Sequence, residues 1–228
     1  MTLQVEGFAP PLFPALAGLA ISLAGPPLIA WLGSRGTNSV RLAAHLACQA
    51  ALVLVAGAMI VIAIAWFEPP LFHDGMASPG IATLGWGLGI AALFVFAIGP
   101  VLMRLPVWLG ASGFDAPLKD LHRLPVWSLA LAVLIGGCVE ELLYRGFALP
   151  VLIGLTGSVW LGAGLTIVAF GLAHLPLWGW ASSLGITIAG AILTGFYLLH
   201  GDLIANMLAH IVTDFVGIVL PALRVRKE

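Results

Sequence analysis

Residues Pro125–Phe170 read PVWSLALAVLIGG-CVEELLYRGF-ALPVLIGLTGSVWLGAGLTIVAF. No charge occurs in the thirteen residues before Cys138 or the twenty-three after Phe147. Between them, Glu140, Glu141 and Arg145 fall within six positions. About 20 consecutive apolar residues suffice to cross the ~30 Å hydrocarbon core of a bilayer as a helix. The flanking runs therefore read as membrane helices, and the charges sit inside one.

The rest of the chain agrees. Of its 228 residues 61% are hydrophobic and 8% charged, against about 25% charged in a soluble domain. The expected fold is all-α, a polytopic membrane helix bundle, with the whole chain 1–228 as one integral membrane domain. A net charge of −1 gives no basis for a nucleic-acid partner. Cys48 and Cys138 lie in apolar runs and set no disulfide framework. The first basic residue is Arg35, so no charged signal-peptide leader precedes the first span, which is expected to be retained.

Seven helices are expected, at about 10–32, 42–66, 82–103, 125–153, 157–175, 179–199 and 202–220, with eight as the alternative count. Trp31, Trp66, Trp86, Trp108, Trp127, Trp160, Trp178 and Trp180 fall near these edges, at the headgroup level that indole rings favour. Arg35 and Arg41 follow the first span, Arg104, Lys119 and Arg123 the third, and Arg224, Arg226 and Lys227 the last. The positive-inside rule then puts the N-terminus outside and the C-terminus inside. Within the loop 104–124, "APLKDLHRLP" reads as a short interfacial helix or a solvated loop.

Inside the spans remain Glu140, Glu141, Arg145 and Asp214, with Asp202 at an edge. Each intramembrane charge costs roughly 2.5–3.5 kcal/mol on the insertion scale, and such residues face the bundle interior and mark functional sites. Glu141 and Arg145 are four apart on one helical face and can hold each other. Glu140 points about 100° away, beside Tyr144. On later spans, Phe170 and His174 share a face, and Asn206, His210 and Asp214 form a polar stripe at four-residue spacing. Glu140 is 16 residues before Thr156 and His174 is 18 after it. At the helical rise they lie ~24 and ~27 Å from that turn and can meet. The stripe fits this level less well: His210 and Asp214 lie only ~14 and ~20 Å from a turn at Gly201.

A carboxylate with no cation on its face can serve as general base, and two histidines and an Asp can orient water or donate to an oxyanion. His and Glu together also suit zinc. These are parts that peptide hydrolysis requires. The chain has no HExxH and no GxGD. Gly110-Ala-Ser-Gly113 matches GxSG, but in a basic loop with no histidine placed to serve it, so turn chemistry accounts for it better.

"EELLYRGF", "FGLAH" and "HIVTD" match EExxxR, FxxxH and HxxxN/D in that order on separate helices. The trio resembles the CPBP intramembrane proteases, which include eukaryotic CAAX-processing endopeptidases and bacterial Abi proteins. The resemblance covers residues 125–220 as a catalytic core, and the first three helices carry none of it. It implies an endopeptidase with Glu140 activating water and His174 and His210 around it. Asp214 takes the position where Asn often stabilises the oxyanion, while Glu141 and Arg145 complete the site with Tyr144, Phe170 and Asn206 in support. The resemblance is compatible with a metal-free and a metal-dependent site; the absence of HExxH favours no cofactor, with zinc on Glu140, His174 and His210 as the alternative. The resemblance also implies a membrane-anchored or hydrophobic peptide substrate (a C-terminal sorting tag, a CAAX-like tail or a peptide precursor) in the bacterial cytoplasmic membrane. A proton-coupled transporter and a non-catalytic immunity or scaffold protein are the competing readings.

Overall fold

A computed structural model describes residues 10–34, 41–67, 71–76 and 79–225. The expectations for Arg35, Arg226 and Lys227 fall outside them. The described residues form helices joined by turns: α1 (Leu12–Ser34), α2 (Leu42–Trp66), α3 (Ile81–Trp108), α4 (Asp115–Leu121), α5 (Val126–Thr156), α6 (Val159–His200) and α7 (Leu203–Arg224). A single turn, His73–Met76, lies between α2 and α3. All but α4 are long and apolar enough to cross a membrane.

The expected spans 157–175 and 179–199 have no loop between them. At 42 residues a straight α6 would be ~63 Å long, twice the bilayer core. It is not straight. Gly179 has φ 73° and ψ 170°, a conformation essentially reserved for glycine. The arms 159–178 and 180–200 fold back on each other there. A Cβ on Gly171 would overlap Thr187 Oγ1, and one on Gly190 would lie 2.6 Å from Phe170 Cδ1. On a continuous helix those partners would be ~24–30 Å apart. Gly171→Ala is therefore expected to destabilise the protein by about 1–3 kcal/mol through overpacking. Thr187→Ala should recover at least half of that loss, measured by thermal unfolding in detergent. Purely additive effects of the two changes would contradict the folded-back hairpin.

Other boundaries also move. The third helix runs to Trp108, not 103, so Arg104 is an exposed helical residue near its end rather than a loop residue. The last helix continues past 220 to Arg224. Of the two readings of "APLKDLHRLP" the helix is the one observed, as α4, with Leu121 and Leu124 buried. Gly110 and Gly113 have φ of 74° and 69°, so the GxSG match is a left-handed turn.

Three helices widen into a π turn, at 94–98, 142–148 and 215–219. In each the N–H of Gly99, Leu149 or Leu220 reaches back five residues, to the carbonyl of Phe94, Tyr144 or Phe215. The next residue is Pro100, Pro150 or Pro221. Proline lacks the N–H and its ring crowds the carbonyl four residues back, and the wider turn makes room for it. The turn at 142–148 begins directly after Glu141 and carries Tyr144 and Arg145. The main core cluster joins α1, α2, α5 and both arms of α6, with Leu203 of α7, around these residues.

Candidate active site

Glu141 and Arg145 lie at the centre of the bundle with side chains 0% exposed. Arg145 Nη1 donates to Glu141 Oε1 at 2.8 Å, Nη2 to the Gly190 carbonyl at 2.9 Å, and Nε to Thr194 Oγ1 at 3.3 Å. Its guanidinium carbon stands 4.5 Å from the centre of the Phe170 ring, a cation–π contact. The same ring meets Tyr144 edge-on, 5.1 Å between centres. Gly190 leaves room for this packing: a Cβ there would lie 2.6 Å from Phe170 Cδ1 and 3.3 Å from Arg145 Nη2.

Glu141 holds more than Arg145. Its Oε1 also accepts from His210 Nδ1 at 2.9 Å, and its Oε2 accepts from Asn206 Nδ2 at 3.0 Å. Asn206 Nδ2 donates in addition to the Leu193 carbonyl at 3.0 Å. The carboxylate thus ties α5 to α7, and through Arg145 and Asn206 the network reaches the second arm of α6. Asn206 and His210, one turn apart on α7, reach it together. The depth mismatch expected for this stripe is absent. Glu141 on α5 meets Asn206 and His210 on α7 directly.

Glu140 faces the other way. Its Oε2 is 3.7 Å from His174 Nε2 and 3.9 Å from His210 Nε2, too far for direct hydrogen bonds and close enough for these atoms to share a water held beside them. Among the described residues nothing donates to that oxygen. His174 Nδ1 donates to the Phe170 carbonyl at 2.8 Å. Because a carbonyl and a carboxylate only accept, Nδ1 carries the proton in both His174 and His210. Both Nε2 atoms are thereby turned toward Glu140. Asp214 Oδ2 is 3.5 Å from His210 Nε2, so Glu141 rather than Asp214 makes the close bond that orients the ring. Side-chain exposure rises from 0% at Glu141 to 19% at Glu140 and 39% at Asp214. Glu140 and Asp214, not Glu141, are open to an incoming molecule.

Two cavities meet here. One of about 560 Å³ is lined by Glu140, Tyr144, His174 and Asp214 together with residues of α1, α2 and α5. The other, about 280 Å³, is bounded by α3, α4, α6 and α7 and includes His174, His210 and Asp214. The histidines have the anchored outer nitrogens typical of metal ligands. However, among the described residues no three His, Cys, Asp or Glu side chains converge as a metal-holding group. The zinc alternative has donors of the right kind without a closed cage.

Several functional contacts escaped the sequence. The Gly190 and Thr194 contacts to Arg145 depend on the fold-back at Gly179, and no local pattern announces them. The place of Glu141 as a hub was half visible: the i, i+4 spacing pointed to Arg145, while His210 and Asn206 come from another helix. The α2 side chains in the larger cavity did carry a signal, polar residues at 41, 45 and 49.

Residues 122–216 match the family model described as Type II CAAX prenyl endopeptidase Rce1-like. The match leaves out α1 to α4 and the end of α7. No curated protein and no solved structure matches the chain.

Proposed function

We propose that this chain, which over residues 122–216 belongs to the CPBP/CAAX protease family, is an intramembrane endopeptidase in which Glu140 activates the attacking water. The observation that carries the reading is the placement of one unpaired carboxylate oxygen against two Nε2 atoms at 3.7 and 3.9 Å. Both rings are fixed from behind, and Glu140 lines the larger cavity.

Glu140 and His174 hold the water. Glu140 takes its proton as the oxygen attacks the scissile carbonyl carbon, giving a tetrahedral oxyanion. The proton passes to the leaving nitrogen, the C–N bond breaks, and a carboxylate and an amine result. His210, whose Nε2 is 3.9 Å from Glu140 Oε2, receives the oxyanion. A His210 ring that donates from both nitrogens, Nδ1–H to Glu141 and Nε2–H to the oxyanion, is the imidazolium. Asp214 helps by keeping that proton on Nε2. The pair Glu141–Arg145 supplies rigidity, so the ring does not have to reorganise during the reaction. The substrate is a membrane-anchored or hydrophobic peptide. By the distribution of Lys and Arg the C-terminus faces the cytosol.

Asp214 separates this reading from its zinc alternative. Asp214→Asn is expected to keep activity within about tenfold, because the amide can still accept from His210 and can also donate to the oxyanion. Asp214→Leu should lose about 10²-fold or more, the size of a lost oxyanion contact. Dialysis against chelator should leave both patterns unchanged. A metal near one per chain, with activity that disappears on its removal and returns on its addition, would contradict the metal-free reading.

A further inference from the structure

The peptidase reading, on which this inference rests, leaves one face of α2 unused. Arg41, His45 and Gln49 all line the larger cavity. They recur every four residues, Arg41 at the N-cap and His45 and Gln49 as a polar stripe on an otherwise apolar helix. Three buried polar atoms belonging to residues of this cavity have no hydrogen-bond partner among the described residues: Gln49 Oε1, Tyr144 Oη and Glu140 Oε2. Tyr144 is 0% exposed. Buried polar groups are nearly always paired, so the cavity is built for a polar occupant.

The cavity is a shaft. Its α5 wall runs from Leu129 through Val133, Gly136 and Glu140 to Tyr144, ~22 Å at the helical rise. His45 Nε2 donates to the Ser128 carbonyl at 3.3 Å, which fixes α2 against α5. Further along, Ala56, Met59 and Ala63 share a core cluster with Val139, Leu143 and Phe147, so the two helices run in the same direction. Counting from the His45–Ser128 contact, Gln49 lies ~6 Å deeper and Glu140 ~18 Å deeper. Gln49 is thus ~12 Å from the level of Glu140 and Arg41, at the mouth, ~24 Å.

This spacing favours a peptide over water. Groups on one side of an extended chain recur every two residues, about 6.4–6.8 Å. The α2 stripe recurs every ~6 Å. A water path needs polar groups but no regular ladder. The chemistry is complementary as well. Gln49 Oε1 accepts from a peptide N–H. His45, whose Nε2–H is given to Ser128, accepts at Nδ1. The Tyr144 hydroxyl donates to a peptide carbonyl.

We propose that this shaft binds the substrate peptide on one side of the scissile bond, extended along α2, with His45, Gln49 and Tyr144 as positioning residues. Three to four residues separate the scissile bond from Gln49 at about 3.3 Å each. The segment 122–216 then supplies the chemistry, and α1 and α2, outside it, read the peptide.

The test uses full-length protein in liposomes and two membrane-anchored peptides. Each carries a photo-crosslinker, four residues before the scissile bond in one and four after it in the other. Offered to Glu140→Gln protein, one of the two should label residues 45–52. Label confined to residues 94–103, in the other cavity, would overturn the proposal. Kinetics on otherwise wild-type protein give the second readout. Gln49→Leu should raise KM about tenfold, the worth of one good hydrogen bond, with kcat within about twofold. Wild-type cleavage with no change in KM for Gln49→Leu would leave the peptidase standing and make the shaft a water path. Absence of any cleavage by wild type would strike the peptidase reading itself, whereas label at 45–52 would still uphold a peptide-binding shaft. If Gln49→Leu does not fold, the crosslink decides alone.

Discussion

Glu140→Gln is expected to lower kcat/KM for peptide cleavage by about 10²–10⁴-fold, the range of a lost general base, in a protein that folds and inserts as before. The substitution keeps the shape and removes the basic oxygen. Among the described residues Glu140 makes no close ion pair that holds the helices together: the Nε2 atoms of His174 and His210 stand 3.7 and 3.9 Å from its Oε2. Its loss should therefore cost activity and little stability. Glu140→Ala should behave alike in activity, with a slightly larger effect on stability from the lost side chain. The check is a matched pair of measurements on one preparation, cleavage rate and thermal midpoint. An active Glu140→Gln enzyme would take Glu140 out of the mechanism, and an unfolded one would give it the structural place assigned here to Glu141.

Glu141 and Arg145 predict the opposite pattern. Arg145→Ala leaves the Glu141 carboxylate buried without its cation, and removes donors to the Gly190 carbonyl and Thr194. Breaking one side of a buried pair costs about 3–5 kcal/mol, a large part of the 5–15 kcal/mol that holds a typical domain together. The yield of folded protein and its unfolding temperature should fall sharply. Arg145→Lys keeps the charge but not the planar fork that reaches three partners and stacks on Phe170. It should recover only part of the loss. Glu141→Ala should be as unstable, and its folded fraction should also be slow, because His210 loses the carboxylate that orients it. Wild-type unfolding temperatures for both alanine variants would show that the ion pair is not structural.

The sequence made some of this visible for definite reasons. Charges inside a membrane span are expensive enough that Glu140, Glu141, Arg145 and Asp214 stood out singly. Helical spacing then assigned Glu141 to Arg145, and grouped Asn206, His210 and Asp214. Both groupings are local, and helix geometry fixes local neighbours without reference to the rest of the fold. The contacts that were missed are those between helices. The fold-back of α6 needs a single residue, Gly179, where a loop was expected, and it alone brings Gly190 and Thr194 to Arg145. Spacing groups His210 with Asp214 on one face of α7. The His210 ring is held by Glu141 across the bundle, a partner that no spacing within α7 can indicate. The ends of α3 and α7 were placed too early. Arg104 and Pro221 look like terminators in a string of letters. An exposed arginine at the membrane edge and a π turn before a proline let the helices continue.

The most direct test of the account is cleavage of a membrane-anchored peptide in liposomes by wild-type and Glu140→Gln protein, with fragments identified by mass spectrometry. The account predicts one defined cut by the wild type. It predicts none by Glu140→Gln, which still binds and crosslinks the same peptide. Equal cutting by both proteins would contradict it.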